Sequence, residues 1–198
     1  MTMAFDAADQ ATDDELLARY ASGDRLAARL LTDRLVPRAL GYATRLLGGD
    51  RAEAEDVAQE AMLRLWRIAP QWRAGEAKVQ TWVYRVVTNL CTDRRRSQSR
   101  RAQPMGDDLP DAVDPNPGPE QLLVNAARLD ALETALAGLP DRQRQAVVLR
   151  HLEGLANPEI AEILGIGVEA VESLTARGKR ALVAQLQGRQ EDLGYEGV

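Results

Sequence analysis

Apolar residues recur along this chain three and four positions apart, and nowhere alternate with polar ones for long enough to specify a strand. Asp13 to Ala21 places Leu16, Leu17 and Tyr20 on one side. Asp24 stands where it can cap a helix carrying Leu26, Leu30 and Leu31, and Pro37 interrupts or kinks the segment after it. A further segment carries Leu40, Ala43, Leu46 and Leu47, then stops at Gly48-Gly49. The run from Glu53 to Ile68 repeats Val57, Ala61, Leu65 and Ile68 on one face. From Thr81 to about Arg95, the residues Trp82, Val83, Val86, Val87, Leu90 and Cys91 form a face built for burial, which makes Cys91 an inert core thiol.

The second half of the chain reads as four more helices. Pro119 or Glu120 opens the first, with Leu122, Leu123, Ala126, Leu129, Leu132 and Leu136 along it, and Gly138 stops it. Pro140 opens the second, with Ala146, Val147 and Leu149 inward and Gly154 at its end. Asn157 then caps a short helix with Pro158 at its first position, carrying Ile160, Ala161, Ile163 and Leu164. Gly165-Ile166-Gly167 turns the chain into a last helix from Val168, carrying Val171, Leu174, Leu182 and Leu186. Between the halves, five of the nine prolines fall within Pro104–Pro119, in an acidic stretch with few apolar residues. The expectation is an all-α chain of two small helical domains, residues 13–97 and 120–187, joined by a flexible acidic Pro-rich linker over 98–119. Residues 1–12 and 188–198 read as disordered tails.

Charge alters this picture. Residues 1–63 carry net -5, residues 64–101 net +8, residues 102–141 net -7 and residues 142–198 net -1. Such segregation implies separate surfaces for separate partners. With one cysteine (Cys91) and one histidine (His151), neither an internal disulfide nor a standard zinc site can form, and no cofactor is expected. The polar, acidic N-terminus lacks the features of a signal peptide, and no run of apolar residues is long enough for membrane insertion, so the expected location is the cytoplasm.

Three constellations could carry function. In residues 155–182 a short helix, a Gly-containing turn and a longer helix with a basic end make a helix-turn-helix. Ile160, Ala161, Leu164, Ile166 and Val171 would set its interhelical angle, and Arg177, Lys179 and Arg180 would lie beside phosphates. The second is the basic block, in which Trp66, Trp72, Trp82 and Tyr84 interleave with Arg and Lys side chains suited to phosphates. There Arg85, Thr88, Asn89 and Thr92 fall opposite the apolar face as donors to backbone or base edges. Trp82 reads as core, and the polar loop Ala69–Lys78 with a half-exposed Trp72 could pocket an unstacked base. In the third, Glu53, Asp56 and Glu60 share a helix face with Gln59, Leu63 and Arg67 adjoining, which suits protein docking rather than acid–base or metal chemistry. No nucleophile–base pair or phosphate loop marks an enzyme.

The order AEDVAQEAMLRLW, TWVYRVVTNLCTDRRR, an acidic Pro-rich linker and LPDRQRQAVVLRHLEGLANPEIAEILGIGVEAVES resembles the extracytoplasmic-function (ECF) sigma factors of bacterial RNA polymerase over roughly residues 13–186. The resemblance implies that 13–97 is a sigma region 2 domain and 120–187 a sigma region 4 helix-turn-helix domain. It implies that Asp56, Gln59, Glu60, Leu63 and Arg67 dock on core polymerase. It implies that Trp72, Arg73, Lys78, Arg85, Thr88, Asn89, Arg94, Arg95 and Arg96 read and melt a minus-ten promoter element. Asn157, Glu169, Glu172, Ser173, Arg177, Lys179 and Arg180 would meet a minus-thirty-five element. Core RNA polymerase, promoter DNA and an anti-sigma factor are the implied partners, in a stress-responsive transcription programme. One stretch departs from the family pattern: Glu172 and Leu174 flank Ser173, where a basic residue and an Arg are usual. Glu172 could accept from a cytosine amino group or simply favour the helix N-terminus with Glu169. The alternatives are a helix-turn-helix regulator that binds operators without polymerase, and a sigma-like decoy for an anti-sigma protein.

Overall fold

The structure, a computed structural model, describes residues 11–73, 75, 77–101 and 119–187. Each early helix starts on a side-chain oxygen that satisfies otherwise unpaired N–H groups. Thr12 accepts from Glu15 N–H while the Glu15 carboxylate accepts from Thr12 N–H, opening α1 (Asp13–Ala21). Asp24 accepts from Leu26 and Ala27 N–H and is gripped by Arg19 at 2.7 Å, opening α2 (Arg25–Leu46). Asp50 accepts from Glu53 N–H to open α3 (Arg51–Ile68), which ends in a 3-10 turn, Ala69–Gln71. Then come α4 (Val79–Arg101), α5 (Pro119–Ala137), α6 (Asp141–Val147) continuing into a π turn (Val148–Leu152), α7 (Asn157–Leu164) and α8 (Val168–Gln187). Among the described residues there is no strand.

Four details differ from the sequence expectation. Pro37 neither ends nor divides a helix, because α2 runs through it. Proline lacks the N–H that would bond the carbonyl of Asp33, yet Leu31, Leu35, Ala39, Tyr42 and Ala43 keep one buried face on both sides of it. Burial of Leu31 and Leu35 contributes about 1.5–3 kcal/mol each, enough together to offset the roughly 3 kcal/mol cost of a proline inside a helix. Ala156, not Asn157, is the cap of α7, and Glu159 reaches back to accept from its N–H. Leu129, one of the apolar residues placed along α5, is 61% exposed. Helix α4 extends to Arg101, beyond residue 98 where the linker was expected to start. Of the expected N-terminal tail, Thr12 is ordered as the cap of α1; residues 1–10, the expected C-terminal tail and most of the expected linker lie outside the described residues.

Helices α1 to α4 bury Leu16, Leu17, Leu31, Leu35, Tyr42, Val57, Leu65, Val83, Tyr84 and Val87. The second half buries Leu136, Val147, Leu149, Ile160, Leu164, Val171 and Leu182. Helices α6 and α8 approach so closely at Gly178 that a Cβ there would lie 2.5 Å from Val147 Cγ2. Gly165, at φ +64°, makes the left-handed turn that stops α7. The two halves pack on one another, α7 against α4 and the start of the second half against α2. Across that seam the guanidinium of Arg144, 2% exposed, donates to the Leu46 carbonyl at 3.1 Å while also donating to the carbonyls of Ala137 and Leu139. Among the described residues no helix is long and apolar enough to cross a membrane.

Candidate nucleic-acid interface and docking groove

A groove between α2 and α3 is lined by Val36, Leu40, Met62, Leu63 and Trp66, with Asp56 and Gln59 along one side. Asp56, Gln59 and Arg67 are exposed, and Leu63 leaves 43% of its surface in solvent. This is an apolar strip edged by carboxylate, the composition of a protein-docking face. Glu60 is half-buried and accepts from Arg64 at 2.8 Å, and that bond holds its carboxyl below the usual carboxylate range. Glu53 leaves this group: it turns to Arg94, whose guanidinium donates to the Glu53 carboxylate and carbonyl, both at 2.7 Å. The three-carboxylate face expected from spacing is thus Asp56 and Glu60 only.

The basic block lies along α4 and the loop before it. Asn89 and Arg96 are exposed on α4, as is Arg73 in the loop. Trp72 is half-buried, its indole N–H donating to Asp14 at 2.8 Å and its ring set edge-on to Trp82 at 6.2 Å. Trp82 is only partly buried against the core, and Trp66 stacks at a tilt on Tyr20, 4.5 Å between centroids. Thr88 does not face outward as the periodicity suggested. It is 4% exposed, its hydroxyl donating to the Tyr84 carbonyl at 2.7 Å and bonding the Tyr42 hydroxyl at 2.9 Å. Tyr84 sits on the same inner side, 1% exposed and edge-on to Tyr42. The first domain thus covers a wider face of α4 than the simple two-faced pattern allows, and α7 packs on another side of the same helix.

Most other cations of the block already hold an anion. Lys78 pairs with Glu159 at 2.7 Å, Arg85 with Glu162 at 2.9 Å and Arg95 with Asp141 at 2.6 Å. The Lys78 pair raises the pKa of that amine and, with the Ala156 N–H, lowers that of the Glu159 carboxyl. The Tyr84 hydroxyl donates to Glu153, which Arg45 also approaches at 3.9 Å. Burial, then this bond, raises the Tyr84 pKa. Asp141, Glu153, Glu159 and Glu162 escaped the sequence reading. The available signal was the spacing of Glu159 and Glu162, one helical turn apart and each directly preceding a buried isoleucine, Ile160 and Ile163.

The helix-turn-helix expectation holds in its packing. Ile160, Ala161, Leu164 and Val171 are buried, with Ile166 partly so, which fixes α7 against α8. On α8, Ser173, Arg177 and Arg180 recur four and three residues apart on one face, with Arg177 donating to Ser173 at 2.6 Å. Glu169 and Glu172 are exposed, and Asn157 donates to Glu172 at 3.4 Å. Lys179 is set apart from that face, on the rim of an apolar groove formed by Leu136, Leu152, Leu182, Val183 and Leu186. His151 shares the rim, its pKa lowered by burial and then by Lys179 and Arg150.

Comparison with known proteins agrees in both halves. The Sigma-70 region 2 family model matches residues 31–101, and the Sigma-70 region 4 model matches residues 129–182. The ECF RNA polymerase sigma-E factor of Haemophilus influenzae is 30% identical over 190 residues, 91% of this chain and 98% of that protein. The ECF RNA polymerase sigma factor SigM of Mycobacterium tuberculosis is 35% identical over 178 residues, 89% of this chain and 85% of that protein. Among solved structures, CnrH in complex with the cytosolic domain of CnrY superposes with a TM-score of 0.65 at 25% identity, covering 89% of this chain and 97% of that one. With both region models matched in order and relatives spanning nearly its whole length, the chain belongs to the ECF sigma factor family of RNA polymerase.

Proposed function

We propose that this chain binds core RNA polymerase, directs it to promoters bearing minus-ten and minus-thirty-five elements, and helps to part the strands for initiation. The observation that carries this reading is the presence of sigma regions 2 and 4, in order, in one chain whose relatives are ECF sigma factors. The α2–α3 groove, with Asp56, Gln59, Glu60, Leu63 and Arg67, is the polymerase dock. The outer face of α4 and its preceding loop, with Trp72, Arg73, Lys78, Arg85, Asn89 and Arg94–Arg96, is the minus-ten surface. Base stacking contributes about 1–3 kcal/mol per captured base, comparable to the cost of opening one step, so strand separation needs several contacts and the polymerase itself. Helix α8, through Ser173, Arg177 and Arg180, holds the minus-thirty-five phosphates, with Asn157, Glu169, Glu172 and Lys179 around them. The chain carries out no chemistry of its own and works in the cytoplasm. An anti-sigma protein that covers these faces controls it.

Run-off transcription with purified core polymerase and genomic fragments tests the proposal. Discrete transcripts are expected only when the chain is added, together with weak promoter binding by the chain alone. A tight, sequence-specific complex formed without polymerase would instead favour the operator-binding regulator.

A further inference from the structure

We infer that the second domain is a built-in competitor for the first domain's nucleic-acid face: acidic residues of α7 and the turn before it occupy the cations of α4 and of the loop that leads into it, in place of phosphates. This rests on the reading of Lys78 and Arg85 as minus-ten contacts. Lys78 and Arg85 stand seven residues apart in sequence and each is capped by a carboxylate of α7, Glu159 and Glu162. Arg85 also donates to the Glu162 carbonyl at 3.0 Å, so both acceptors of one residue hold this guanidinium. Beside them the Tyr84 hydroxyl is held by Glu153, and Arg95 by Asp141. All four acids come from the second half and all four partners from the helix or loop assigned to DNA. A guanidinium that spends its donors on Glu162 cannot offer them to a phosphate, and the paired charges no longer attract one.

The contacts are graded in a way that suits a latch. The side chains of Lys78 and Arg85 remain 73% and 40% exposed, so their ion pairs are weak and sensitive to salt. These two pairs therefore cost little to break, and what polymerase must offset when it grips each domain is the buried part of the seam, Arg144 above all.

The test uses the full chain. Lys78 and Lys179 are its only lysines, so zero-length carbodiimide coupling gives an unambiguous readout. A Lys78–Glu159 cross-link is expected in the free chain and is expected to fall when a single-stranded deoxyoligonucleotide of mixed sequence is added. Glu159→Gln with Glu162→Gln keeps the α7 cap at Ala156 but removes both ion pairs. This variant should bind the oligonucleotide about twofold to thirtyfold more tightly. Its log–log salt slope should be steeper by about 1.4, because two phosphate contacts no longer replace two internal pairs. Asp130→Asn with Glu133→Gln, the same charge change on exposed residues of α5, should leave both quantities near wild type. Absence of the cross-link, or equal affinity gains in the two double variants, overturns the latch while leaving the DNA assignment intact if Arg85→Glu still weakens binding. Should Arg85→Glu bind as wild type does, the DNA assignment falls, and the latch with it.

Discussion

Cys91 and Gly178 show how single positions are constrained by their surroundings. Burial pushes the Cys91 thiol up to about 12 from an ordinary value of 9.0, because a thiolate in the core would lose its hydration. The native state thus favours the protonated form. Its stabilising contribution is complete below the unfolded-state value and is lost as pH rises from about 9 through 12. Titration with an aromatic disulfide at pH 8 should leave native Cys91 unmodified and label it fully in denaturant; rapid native labelling would contradict its placement. At Gly178, adding a Cβ forces it onto Val147, an overlap that costs about 1–3 kcal/mol against a helix-propensity gain of about 1 kcal/mol. Gly178→Ala should therefore lower the midpoint of chemical denaturation, and Val147→Ala in the same chain should relieve part of the loss. Cys91 was legible in the sequence because it falls on an apolar helical face. Gly178 was not, because the close approach of α6 to α8 is a property of two helices that no spacing within one of them reveals.

The inner faces of α1 and α3 followed from periodicity, with Leu16 and Leu17, and Val57, Ala61 and Leu65, buried as their spacing predicts. The caps at Asp24 and the turn at Gly165 fell where side-chain chemistry placed them. Periodicity failed where an element has two partners. Helix α4 packs on its own domain and on α7, so Arg85, on the nominal outer face, meets Glu162, while Thr88 is enclosed within the first domain by Tyr42 and Tyr84. The seam between the domains was invisible for the same reason, although the acids that line it are plain in the sequence. Its firmest member is Arg144, whose guanidinium satisfies carbonyls of Leu46, Ala137 and Leu139. Removing it leaves buried acceptors without donors, a loss of about 2–4 kcal/mol. Arg144→Ala should lower the unfolding free energy by that amount in urea titration; an unchanged midpoint would mean that these bonds carry no net stability. At the proposed polymerase dock, Leu63→Ala removes the most exposed apolar side chain of the α2–α3 groove. It should weaken core-polymerase association about tenfold in a competition assay, with no change in melting temperature, because Leu63 contributes little to the fold.

At the scale of the molecule, the charge profile of the sequence now has a spatial meaning. The basic segment runs from the end of α3 through the loop into α4, and acidic residues that partly neutralise it arrive from the far half of the chain, so a chain of net charge -5 keeps a cationic face under its own cover. The proposed adaptor role requires two separable surfaces, one for the polymerase and one for the promoter. The most direct measurement is run-off transcription from a duplex promoter, run alongside core-polymerase binding, with wild type and two charge-changing variants. Asp56→Arg with Glu60→Arg should abolish polymerase binding and hence transcription. Arg85→Glu with Asn89→Ala should keep polymerase binding but lose transcription from duplex DNA. Normal transcription by both variants, or the absence of any added transcript with the wild-type chain, would contradict the account.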